Sequence, residues 1–235
     1  MYAKYKPARP ISADQDILNQ INEKGYYLQE NFVSEQQVKL IRDEVESAYK
    51  NLKEEDHSDF FCKEGGHERI GNIDSHSPLA KAYFYENELI NRLAKTYVSK
   101  DAKAYRKEAD YKYEIEVDYQ ANIAHFDDWR HRFKAFLFLN DVGPDNAPMI
   151  YFEGSHKKAS WRKEYEKDYI IHGPKGRYGH FFPQEMMHLQ SEQNFKPIRL
   201  ESKAGTLFLG DFRGIHQGTR LKAGKRILLN CTFGL

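Results

Sequence analysis

Apolar residues in the first third of the chain recur at helical spacing. Ser34 and Gln37 suit a capping box, and behind them Val38, Ile41, Val45, Ala48 and Leu52 fall at steps of three and four. That spacing predicts one helix with one buried face. Tyr26-Tyr27-Leu28, bounded by Gly25, predicts a short strand just ahead of it. A second helix is expected to begin at Ser77-Pro78, with Ser as the cap and Pro in the first turn. Its buried face would hold Leu79, Ala82, Ile90, Leu93 and Tyr97. None of these elements carries recognisable chemistry.

From about residue 110 the period drops to two. Tyr113, Ile115, Val117 and Tyr119 alternate with Glu114, Glu116, Asp118 and Gln120, as in a half-buried strand. Phe136 to Leu139, Met149 to Phe152, Ile198 to Glu201, Thr206 to Leu209 and Arg226 to Leu229 add further short strands. Asn140-Asp141, Gly143-Pro144-Asp145, Gly154, Ala204-Gly205 and Gly224 punctuate them. Many short strands with such turns predict a sandwich or jelly-roll barrel, and helices followed by strands predict an α+β class. The expectation is one domain over residues 1–235. Its helical part would run over about 12–105 and its jelly-roll core over about 110–235. Residues 154–196 show few strand signals. A loop of that length is usually functional, often a lid; the other reading is an irregular region with one or two strands lacking clear alternation.

Composition narrows the partners. The 235 residues carry 36 Lys+Arg against 35 Asp+Glu, a formal net charge of +1, which excludes bulk electrostatic attraction to nucleic acid or an acidic membrane. Two cysteines, Cys62 and Cys231, make neither a disulfide framework nor a zinc spacing, and a reduced intracellular setting follows. No signal peptide is visible and no apolar run approaches the ~18 residues of a membrane span, so a soluble cytoplasmic protein is expected. Gly218 to Lys225 imitates a phosphate loop but has the wrong spacing and Arg226 where Ser or Thr belongs.

The chemistry concentrates in Ala124-His125-Phe126-Asp127-Asp128-Trp129. Alternate residues of an extended segment share a face, so His125 and Asp127 can take adjacent positions on a metal. His216, beyond a later strand, is the natural third ligand. Two His and one carboxylate leave open positions, the arrangement of non-haem Fe(II) oxygenases. His-x-Asp alone is weak: ten His and fifteen Asp give roughly 0.6 matches by chance. The second copy, His57-Ser58-Asp59, follows Glu54-Glu55-Asp56 with no strand around it and is read as a solvated loop.

Taken together, these segments resemble the phytanoyl-CoA dioxygenase-like branch of the Fe(II)/2-oxoglutarate-dependent oxygenases. The resemblance covers most of the chain: Gly25 to Ser34 with the helix behind it, His125-x-Asp127, Asn140-Asp141, Asn146-Ala147-Pro148-Met149, Gly154-Ser155-His156-Lys157, His216 and Arg226. It departs at Ala147, where the family usually has Gly, and at Glu153, where it usually has Pro. The resemblance implies a double-stranded β-helix with N-terminal buttressing helices. It also implies Fe(II) on His125, Asp127 and His216, 2-oxoglutarate and O2 as cosubstrates, and Arg226 on the far carboxylate of 2-oxoglutarate. An intact Asp127 implies hydroxylation or a related oxidation rather than halogenation, and hydroxylation of a small molecule is the expectation.

Physical reasoning supports Arg226 independently, because a buried carboxylate needs a permanent cation and a guanidinium offers a two-pronged one. Arg220 is nearer His216 but lies in a polar turn, whereas Arg226 opens an apolar run. Asn122 and Tyr119 are candidates for contacting the cosubstrate, with a turn residue and a packing residue as the bland readings. Trp129, Lys134 and Arg177 are candidates for the substrate side. A core tryptophan, a snorkelling surface lysine and a lid residue of no special role are their alternatives. A non-catalytic metal- or ligand-binding jelly roll is the rival function, and a cupin-type isomerase or hydrolase, which brings more histidines to its metal, is another. The oligomeric state is not legible.

Overall fold

A computed structural model describes residues 7–54, 60–64, 67–113, 122–172 and 179–234. Among the described residues, ten strands form two facing sheets. The larger holds β1 (Tyr26–Gln29), β2 (Phe60–Glu64), β3 (His67–Gly71), β4 (Lys103–Lys112), β5 (Phe133–Phe138), β8 (Leu207–Asp211) and β10 (Arg226–Gly234). Their order across the sheet is β1-β8-β5-β10-β4-β3-β2, with every neighbouring pair antiparallel. The smaller sheet is β7 (Lys196–Arg199), β6 (Ile150–Glu153) and β9 (His216–Gln217), in that order. This is the α+β jelly roll that the strand pattern predicts.

Helices α1 (Gln15–Lys24), α2 (Glu35–Glu54), α3 (Pro78–Ala80) and α4 (Glu88–Tyr97) buttress the outer face of the large sheet. The expected capping box starts α2: Ser34 Oγ accepts from the Gln37 amide at 3.3 Å, and Gln37 Oε1 accepts from the Ser34 amide at 2.8 Å. Ile41 and Val45 of α2 and Ile90 and Leu93 of α4 pack against Ile227, Leu229, Cys231 and Phe233 of β10 in one continuous core. Because side chains alternate along a strand, Arg226, Leu228, Asn230 and Thr232 face the other way, between the sheets. Register then sets Arg226 opposite Lys112, Leu228 opposite Asp110 and Asn230 opposite Glu108. A strongly polar inner face results at one end of the sheet. Phe136, Phe138, Tyr151, Phe208 and Phe212 fill the other end.

Three expectations change. The helix starting at Ser77 is capped as predicted, by Ser77 Oγ on the Ala80 amide, but it does not run on. Lys81–Tyr85 winds as a π-helical segment, and Asn87 restarts the chain as α4 by accepting from the Leu89 and Ile90 amides. The wider turn shifts the apolar stripe, so Ala80, Phe84 and Tyr85 are buried and Ala82 is exposed. The expected helical part also contains β2, β3 and the start of β4. Residues 114–121, the rest of the alternating segment that starts at Tyr113, lie outside the described residues. Finally, residues 154–196 hold neither a long loop nor missed strands alone but two helices, α5 (Arg162–His172) and α6 (Pro183–Gln193), ahead of β7. Their apolar residues are scattered around the axis, which left no stripe to read.

Candidate metal centre

The backbone places two histidines before any side chain is considered. His125 and His216 form an antiparallel bridge: each amide donates to the other's carbonyl at 2.8 Å. Directly paired residues project to the same side of a sheet. Their rings accordingly meet with centroids 4.3 Å apart. Asp127, two residues on, is fixed by its amide donating to the Phe212 carbonyl at 3.0 Å.

Each imidazole is held in one tautomer. His125 Nδ1 lies 2.7 Å from the Ile123 carbonyl and His216 Nδ1 lies 3.0 Å from that of Gly214. A carbonyl only accepts, so Nδ1 carries the proton and Nε2 is left with its lone pair free. Both Nε2 atoms point at Asp127 Oδ1, at 3.7 Å from His125 and 3.5 Å from His216. Three donor atoms of these residues lie within 4.8 Å of one another. Adjacent donors on an octahedral metal stand about 3.0 Å apart at bond lengths of about 2.1 Å, so a small contraction would close the set. Burial, with the neighbouring His216, pushes the His125 imidazole down to about 3, so protons do not compete for it near neutrality. Burial alone would raise the Asp127 carboxyl. The Lys134 ammonium, then His216 and His125, outweigh burial and hold it well below the usual carboxylate range. Two imidazole nitrogens with an ionised carboxylate are the donor set a divalent iron takes.

Beside this triad lies a cavity of about 310 Å³ between the sheets, lined at its other end by Arg226. The Arg226 guanidinium donates to the Ala147 carbonyl at 2.6 Å and to Asp110 Oδ1 at 3.1 Å. Ala147 sits at φ 56°, the left-handed region, which explains why a glycine suits this position and what the turn achieves: it aims a carbonyl at the arginine. Asp110 also meets His67 Nε2 at 3.0 Å and Arg69 Nε at 3.3 Å. Burial opposes its charge, but His67, Arg226 and Arg69 together hold Asp110 well below the usual range.

The structure thus brings His125, Asp127, His216, Lys134 and Arg226 to one cavity. Lys134 is not a snorkelling surface lysine. Its ammonium stands against Asp127 Oδ2 as an ion pair, outside hydrogen-bonding angles, and 4.5 Å from the Phe212 ring centre. Arg220 is exposed, whereas Arg226 is buried. Asn122 and Trp129 do not line the cavity; Arg130 covers the Trp129 ring at 5.8 Å. Tyr119, Arg177 and the second His-x-Asp copy at 57–59 lie outside the described residues. His67, Arg69, Asp110 and Lys112 are among the cavity residues that sequence reasoning missed. The alternation read from Tyr113 runs back through Tyr111 and Ala109 in the same phase, which sets Asp110 and Lys112 on the opposite face, one that alternation alone reads as solvent-facing.

The sequence profile described as Phytanoyl-CoA dioxygenase (PhyH) matches residues 21–226, most of the chain and all of this site. The chain belongs to the phytanoyl-CoA dioxygenase family. Curated protein sequences give no match. Among solved structures, EctD from S. alaskensis with bound Fe is 15% identical, over 100% of this chain and 79% of that one, with a TM-score of 0.69. The epimerase SnoN, in complex with Fe3+, alpha ketoglutarate and nogalamycin RO, is 14% identical over 95% of this chain and 84% of its own, TM-score 0.65. HygX from Streptomyces hygroscopicus, with nickel, 2-oxoglutarate and hygromycin B bound, is 15% identical over 94% and 86%, TM-score 0.61. At such identities the likeness establishes the shared jelly-roll fold. No described helix of this family member is long and apolar enough to cross a membrane.

Proposed function

We propose that this chain is a non-haem Fe(II)- and 2-oxoglutarate-dependent dioxygenase that hydroxylates a C–H bond of a small molecule in the cytoplasm. One observation carries the reading: two imidazole Nε2 atoms and a carboxylate oxygen converge at one end of a cavity whose other end holds a buried arginine. His125, Asp127 and His216 would hold the iron, and Arg226 the terminal carboxylate of 2-oxoglutarate. The fold relatives with bound Fe, 2-oxoglutarate and small molecules support the same ligand set.

Bound iron supplies the oxidising chemistry, in which O2 and 2-oxoglutarate become CO2, succinate and one oxygen atom delivered to the substrate. The chain's own residues prepare for it. Hydrogen bonds from both Nδ1 atoms orient the imidazoles, and Lys134 keeps the outer oxygen of Asp127 neutralised, so that one carboxylate oxygen remains for the metal. Phe136, Phe138, Met149 and Leu228 give the cavity an apolar wall beside its charged groups.

The relatives include an epimerase and a carbocyclase, so the outcome needs its own test. Fe(II) and 2-oxoglutarate added without oxygen should give a visible charge-transfer band. A panel of small molecules should then show substrate-dependent succinate release with a product heavier by one oxygen atom. Asp127→Ala should abolish both band and succinate. Absence of the band in the wild type would remove the cofactor assignment, and a product of unchanged mass, or short of two hydrogens, would remove hydroxylation.

A further inference from the structure

We propose that Lys112 and Arg226 form a joint seat for the terminal carboxylate of the cosubstrate, and that Lys112 takes up a proton as that carboxylate binds. This rests on the 2-oxoglutarate reading above and adds to it a second cation and a pH dependence.

The register pairs Lys112 of β4 directly with Arg226 of β10, and both side chains line the cavity. Both are buried, yet neither is satisfied by the protein. Arg226 Nε has no hydrogen-bond partner, and the three donors of the Lys112 ammonium reach a single acceptor, the Thr219 carbonyl at 3.4 Å. Buried donors without acceptors on two adjacent cations define a place for an anion with two or more acceptor oxygens, as a carboxylate has.

The groups facing Lys112 decide its charge. Asp110 of its own strand is the one described carboxylate acting on it, and that carboxylate already serves His67 and Arg69 of β3 and Arg226 of β10. Burial, and after it the Arg226 charge, therefore pull the Lys112 amine down to about 7. An incoming carboxylate reverses that balance, and the amine regains its proton from solvent. The sign follows: a group whose pKa rises on binding favours binding below its free value and weakens it above. Affinity should fall by up to about tenfold per pH unit above neutrality, about 20-fold between about pH 6.5 and about pH 8.5.

Calorimetric titration of the Fe(II)-loaded, oxygen-free protein with 2-oxoglutarate, in buffers of different ionisation heat, measures both affinity and protons. The wild type should show that fall and take up close to one proton at about pH 8. Lys112→Arg, permanently charged, should bind tightly at all these pH values with no proton uptake. Lys112→Met should bind at least about tenfold more weakly at low pH and show no slope. Pyruvate, which has the keto acid but no terminal carboxylate, should bind with no difference among the three proteins. Wild-type pH dependence persisting in Lys112→Arg, or wild-type affinity in Lys112→Met, would overturn the proposal. Failure of 2-oxoglutarate to bind the wild type at any pH would instead overturn the cosubstrate reading itself.

Discussion

Asp110 is the most consequential side chain that binds nothing itself. It lies two residues from the end of β4, with His67, Arg69 and Arg226 converging on its two oxygens. Asp110→Asn keeps the shape and removes the charge, taking from the buried Arg226 guanidinium its carboxylate partner. Removing one partner of a buried ion pair costs about 3–5 kcal/mol, because the remaining charge stays desolvated. For a domain of this size each kcal/mol shifts the melting temperature by roughly 2–4 °C, so a loss of about 10 °C is expected at neutral pH. The pH dependence separates charge from packing. A carboxyl held below its unfolded value contributes stability that is complete above about pH 4 and is lost as pH falls through the native value. The gap between wild type and Asp110→Asn should therefore persist down to about pH 5 and narrow below about pH 4. Thermal unfolding followed by circular dichroism across that range gives the answer. A gap equally wide at about pH 3 would mean that shape, not charge, was lost, and a gap under about 2 °C at neutrality would mean that Asp110 does not hold the cluster together.

Three further outcomes follow from the site. Lys134→Met should lower the melting temperature of the metal-free protein by roughly 6–12 °C, since it strips Asp127 of its ion-pair partner, and by clearly less once Fe(II) neutralises the same carboxylate; equal losses with and without metal would refute the pairing. Arg226→Ala should raise the 2-oxoglutarate KM about 100-fold while Arg220→Ala leaves it within about twofold, measured by succinate release; the reverse order would transfer the role to Arg220. Gly214→Ala would set a Cβ 1.9 Å from the Tyr151 hydroxyl, in the loop whose carbonyl orients His216. It should cost at least about tenfold in Fe(II) affinity by metal titration, and wild-type affinity would show that the loop yields freely.

How far the site was legible depends on what sets each residue's position. His125 and Asp127 share a face through backbone alternation alone, so two residues of sequence suffice. His216 is brought to them by a cross-strand bridge between segments about ninety residues apart, which no local pattern encodes; its place beyond a later strand made it the candidate, and the resemblance matched it. Arg226 was separable from Arg220 because the apolar residues that follow it mark a strand, and the strand carries it inward. The fold class was readable for the same reason, since the outer faces of the strands are apolar where they meet the helices. What failed was any element whose polar side is not its solvent side. On β4 the charged residues Glu108, Asp110 and Lys112 are all buried, while Ala109 and Tyr111 meet the helices. Charge alternating with apolar residues reads as one wet face and one dry face. Here both faces are interior.

That inversion also qualifies what the near-zero net charge means. The described cavity lining carries Arg69, Arg106, Lys112, Arg132, Lys134 and Arg226 against Asp110 and Asp127. A chain neutral overall has gathered positive charge around one cavity, and at its buried members, Lys112 and Arg226, screening by salt is weak and like charges repel strongly. A divalent cation at the triad adds to that excess, so metal and cosubstrate cannot be independent. Iron raises the positive potential that a dianion meets, and the dianion relieves the repulsion that iron creates. By reciprocity each ligand must strengthen the other's binding by the same factor. The balance of 36 basic and 35 acidic residues is a property of the whole chain, while the uneven balance around the cavity favours a doubly negative ligand.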